Sequence, residues 1–92
     1  METGLYLKYA DKYPTGPKSA EALYNATFRQ GSLVTMYLVD DNRKRSEQAA
    51  VICQNIVARM QKDFPNNDYT ARAASIAFRV AQGISIYGSD RE

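Results

Sequence analysis

The chain has 92 residues, 45% hydrophobic and 24% charged, which suits one small globular domain or a piece of a repeat array and argues against disorder. Its net charge of +2 is too small to imply a nucleic-acid partner, and with no histidine it lacks the commonest general base and the commonest metal ligand. Cys53 is the sole cysteine, so no intrachain disulfide can form, and no apolar run approaches the roughly 20 residues that cross a bilayer.

In chain order, the first segment predicts a helix over 4–13. Thr3 is a candidate N-cap, Leu5, Tyr6, Tyr9 and Tyr13 fall on one stripe, and Pro14 ends the element. The turn PTGP follows, with Pro17 placed to open the next helix. That helix is expected over 18–38, with Leu23, Ala26, Thr27, Gln30, Leu33, Val34 and Tyr37 at spacings of three and four. Gly31 inside it marks either a bend or a close neighbour, and VTMYLV at its end is also β-favourable.

DDNRKRSE is the central break, where Asp40, Asp41 or Asn42 caps a third helix over 43–63. Its stripe is Ala49, Ile52, Cys53, Ile56, Val57, Met60 and Phe64. Pro65 terminates it. A fourth helix is expected over 68–82, with Ala71, Ala74, Ala77, Phe78 and Ala81 on one face and Gly83 as its C-terminal stop. Ile84 and Ile86 are expected to fold back on that helix.

One phrase occurs twice, 51 residues apart. Tyr13-Pro14 matches Phe64-Pro65, and Ala20 and Ala22 match Ala71 and Ala73. Each copy ends a helix on an aromatic, turns through proline, and starts a new helix with small residues that permit close approach. A unit that cannot bury its own apolar face stacks on its neighbour, which is the logic of a helical solenoid.

AEALYNAT (20–27) resembles the opening helix of a tetratricopeptide repeat, and NIVARMQKDFPNN resembles the close of its second helix. The likeness implies the second helix of one repeat (5–13), a complete repeat (18–64) and the first helix of another (68–82). It departs from the family in its period, 51 residues against the usual value of about 34. The excess lies between Gly31 and Ala49, so that 32–48 is either a functional insertion or extra turns of helix. Thr27 and Ser75 stand where the family usually has glycine. The aromatic-proline turn with long helices looks most like such modules in bacterial envelope proteins.

In that family the first helices of successive repeats line a concave groove. The resemblance therefore assigns partner contacts to Tyr24, Asn25 and Phe28 on one helix and to Arg72, Ser75 and Arg79 on the other; aromatics and arginines are effective anchors. The same residues would also serve as ordinary packing and solvated charge.

Catalysis finds little support. Paired acid–base groups are missing, since Asp40-Asp41, the one adjacent acidic pair, suits capping. Cys53 has no histidine partner and lies on an apolar stripe, which fits a buried thiol. Metal-ligand spacing and a cofactor box are also lacking. Arg43-Lys44-Arg45 reads as a solvated helix start.

The expectation is an all-α fold of four antiparallel helices stacked as a short right-handed array of tetratricopeptide type, without catalytic activity, cofactor, metal or nucleic acid, binding a protein or peptide. The alternative is a homo-oligomerising unit, pairing or stacking through uncapped end faces at Leu5/Tyr9 and Ile76/Val80. A plain bundle with a coincidental repeat is the third possibility. The composition leaves cytoplasm and bacterial periplasm or envelope equally open.

Overall fold

The computed structural model describes residues 3–83. These form four α-helices and no strand: α1 (Thr3–Lys12), α2 (Ser19–Val39), α3 (Arg43–Asp63) and α4 (Asp68–Ala81). The expected positions of Ile84 and Ile86 lie outside the described residues.

Successive helices run antiparallel. Along α2 and α3 the partners move in opposite directions: Ser46 Oγ donates to the Val34 carbonyl at 3.0 Å, Gln30 Nε2 to the Ala49 carbonyl at 3.5 Å, and Cys53 Sγ to the Thr27 carbonyl at 3.8 Å. The α3–α4 pair shows the same reversal, with Thr70 Oγ1 on the Phe64 carbonyl at 2.7 Å and Gln54 Nε2 on the Ala77 carbonyl at 3.2 Å. α2 is the central element; it packs on α1, α3 and α4, and α4 also packs on α3.

The core follows from the heptad-like spacing on α2 and α3. Leu23 and Ala26 of α2 meet Ile56, Val57 and Met60 of α3, with Ala10 from α1 and Ala73 and Ala77 from α4. Gln30 is a buried polar member of the α2 stripe, and its amide is used. It receives the Thr3 hydroxyl on Oε1 at 2.9 Å while donating to Ala49, so the burial costs little. Gly31 is buried within an uninterrupted α2, and the β-favourable VTMYLV is helical to Val39.

The 32–48 stretch is extra helix. α2 and α3 each have 21 residues, and Asp40–Asn42 joins them. Asn42 is the cap, accepting from the Arg45 amide at 3.2 Å. Asp41 makes the reversal by adopting a left-handed conformation, φ 58°. Gly83, at φ 74°, closes α4 as its position implied, its amide reaching the Val80 carbonyl at 3.1 Å.

Several expectations need correction. Pro17 does not open α2, which starts at Ser19. Thr3 stands within α1, its hydroxyl spent on Gln30. On α1 the inward residues are Tyr6, Leu7 and Ala10, whereas Leu5, Tyr9 and Tyr13 are exposed. Among the described helices α1 has one packed neighbour, too few to cover a stripe that wide. On α4 the inward residues are Thr70, Ala73, Ile76 and Ala77, while Ala71, Phe78 and Ala81 are exposed and Ala74 is half-buried. α4 carries two small-residue stripes, and the Thr70–Phe64 hydrogen bond sets the rotation that buries the other one. Ile76, expected at an open end, is therefore buried, and the open face of α4 is at Phe78. Ile52 of α3 is likewise exposed.

Candidate functional site

The repeated phrase is one structural device built twice. In the first copy the Gly16 amide bonds the Tyr13 carbonyl, the Ser19 amide bonds the Gly16 carbonyl, and the Ser19 hydroxyl donates to the Tyr13 carbonyl. In the second copy Asn67, Thr70 and Phe64 make the same three bonds. Each hydroxyl belongs to the first turn of a helix and reaches back to the aromatic residue that follows the preceding helix. Helix end, turn and next helix are thereby locked at one angle, and Ser19 and Thr70 are both buried. At Gly16 an added Cβ would stand 3.0 Å from Tyr13 Cβ, so the first turn closes tightly there.

α2 lies beside α4, and the most distinctive surface cluster lies there. Tyr24 of α2 and Tyr69 of α4 have ring centroids 5.5 Å apart, tilted by 39°. The Arg72 guanidinium lies 5.6 Å from the Tyr69 centroid. Asn67 caps α4 by accepting from the Tyr69 amide at 2.8 Å, which fixes Tyr69 in the first turn; Arg72 follows three residues later on the same face. Both tyrosines are half-buried and Arg72 is exposed, so one edge of the cluster is anchored in the core and the other is available.

The six residues implied by the resemblance divide between places. Tyr24 and Arg72 come together on Tyr69. Asn25 and Phe28 instead line a hollow of about 220 Å³ beside α1, with Tyr6, Arg29, Ser32 and Met36. Ser75 is exposed, and Arg79 is half-buried in the last turn of α4. Ser32 Oγ is buried in that hollow without a hydrogen-bond partner among the described residues. Tyr69 escaped the sequence reading, although its spacing to Arg72 was a usable signal.

Other groups take structural roles. Arg59 bridges helices, 3.0 Å from Asp11 of α1 and 3.9 Å from Asp63. Cys53 is fully buried, and burial pushes its thiol up to about 11, so it is protonated at neutral pH. Arg43, Lys44 and Arg45 are exposed at the start of α3. Among the described residues no three acidic or cysteine side chains are grouped to hold a metal, and no helix is long and apolar enough to cross a membrane.

No protein-family model, curated protein or solved structure matches the chain.

Proposed function

We propose that this chain is a non-catalytic protein-interaction module of tetratricopeptide type, binding a segment of a partner protein along the side-by-side α2 and α4. The observation that carries the reading is the Tyr24–Tyr69–Arg72 cluster. It presents aromatic area and a forked cation on a surface preorganised by two turns that share the same three hydrogen bonds, so little ordering cost opposes binding. The order of contacts, α2 on α3 and α4 on both, supports the repeat assignment because it is the order in which stacked helical hairpins meet. Arg72 and Arg79 on α4 favour a partner segment carrying acidic and aromatic side chains.

The test is selection of binding peptides from a displayed random library, followed by titration against variants. Recovered peptides should be enriched in Asp, Glu and aromatics. Arg72→Glu and Tyr24→Ala should each weaken binding at least about tenfold, as loss of an anchor does, and Lys44→Glu at the exposed start of α3 should leave it unchanged. Binding that survives both anchor substitutions would refute the assignment.

A further inference from the structure

The 51-residue shift that superposes the two turns also pairs α1 with the later part of α3, and the first part of α2 with α4. In the second copy the cleft between α3 and α4 is filled by α2. Ile56, Met60 and Ala73 are buried there with Leu23 and Ala26, and Thr27 Oγ1 stands 3.9 Å from Met60 Sδ. The shift carries Ile56, Met60 and Ala73 back to Leu5, Tyr9 and Ala22. Those three line an open, mainly apolar hollow of about 470 Å³ between α1 and α2, with Leu5 54% and Tyr9 38% exposed. The first copy thus has the seat that α2 occupies in the second, and no described helix fills it.

The opposite end shows the complement. On α2, Leu23, Thr27 and Gln30 face α3. The shift carries them to Ala74, Phe78 and Ala81, which line an open hollow of about 330 Å³ on α3 and α4, where Phe78 is 62% exposed. This is the small-residue stripe that the sequence suggested would be buried. It has the register of a packing face, and no described helix covers it.

We propose that a second copy of this chain satisfies both surfaces at once. α4 of one copy lies in the α1–α2 groove of the next as α2 lies on α3 and α4, and the two helical arrays continue as one. The internal contact between Thr27 and Met60 then becomes Phe78 of one copy against Tyr9 of the next, an aromatic pair. Leu23 near Met60 becomes Ala74 near Tyr9, so a smaller side chain faces a larger one beside the bulkier Phe78–Tyr9 pair. The Arg59–Asp11 ion pair has Lys8 and Lys62 as its counterpart, with Asp63 adjacent. Apolar burial therefore drives the association, and salt does not weaken it. The two faces differ, one on α1 and α2 and the other on α3 and α4, so the contact is head-to-tail and open-ended. It uses surfaces other than the Tyr24–Tyr69–Arg72 cluster and stands independently of that cluster's ligand.

Sedimentation equilibrium over a wide concentration range tests it, with Phe78→Glu blocking one face and Tyr9→Glu the other. The wild-type mass should rise past two copies with concentration and do so at least as strongly at about 1 M salt, where exposed charges are screened. Each variant alone should stay at the mass of one copy. An equimolar mixture of the two should form a 1:1 dimer and stop there, because each variant keeps the face the other has lost. That mixed dimer also shows that both variants are folded; Ala81→Arg and Leu5→Lys repeat the experiment with different side chains at the same faces. A wild-type chain that remains a single copy at the highest concentration overturns the proposal and assigns the groove to another occupant. A variant that assembles like wild type, or a mixture that stays monomeric, overturns it equally.

Discussion

Thr70 provides the sharpest test of the idea that two hydroxyls set the helix angles. Thr70→Val keeps the shape of a buried side chain and removes one donor, the hydroxyl 2.7 Å from the Phe64 carbonyl. That carbonyl also accepts from the Asn67 amide at 3.3 Å, so it is not left wholly unpaired. The expected cost is the net value of one hydrogen bond, about 1 kcal/mol, and not the larger penalty of an orphaned buried group. With a urea m-value of about 1 kcal/mol/M for a domain of this size, the unfolding midpoint should fall by about 1 M. Ser19→Ala removes the equivalent donor on the Tyr13 carbonyl and should cost a similar amount. The two sites share no hydrogen-bond partner and lie at different turns, so the double variant should show the sum within about 0.5 kcal/mol. Equilibrium urea unfolding followed by far-ultraviolet circular dichroism measures all three. A Thr70→Val chain as stable as wild type would refute the claim that the hydroxyl holds α4 in register; the buried face of α4 would then need another cause.

Two further predictions concern stability. Asp41 adopts φ 58°, so Asp41→Gly should stabilise the α2–α3 reversal by about 0.5–1 kcal/mol and Asp41→Val should destabilise it by about 1–2 kcal/mol; thermal melts that rank the two the other way would show the strain is absent. Cys53 titrates near 9.0 when free and at about 11 in its buried site, so the folded state holds the proton longer than the unfolded chain does. The stability contribution is present below pH 9 and is lost as pH rises towards 11, by up to about 2–3 kcal/mol from a shift of this size. Cys53→Ala should be less stable at pH 7 but flatter over that range, and parallel pH profiles for the two proteins would contradict the assignment.

What the sequence settled is the local structure. The spacing on α2 and α3, the proline turns, the capping residues at 40–42 and Gly83 located four helices with ends displaced by at most a residue or so, because each signal acts within a few residues of itself. It also exposed the repeated turn, whose hydroxyls form the same bond in both copies. The tertiary structure decided which apolar stripe is covered. Leu5, Tyr9 and Phe78 have the periodicity of core residues, yet they are exposed, since a periodicity states that a face can pack and not what stands opposite it. α1 and α4 carry more apolar face than α2 and α3 can cover. The pairing of Tyr24 with Tyr69 is likewise a long-range contact between two helices, set by the angle at which the turns deliver them.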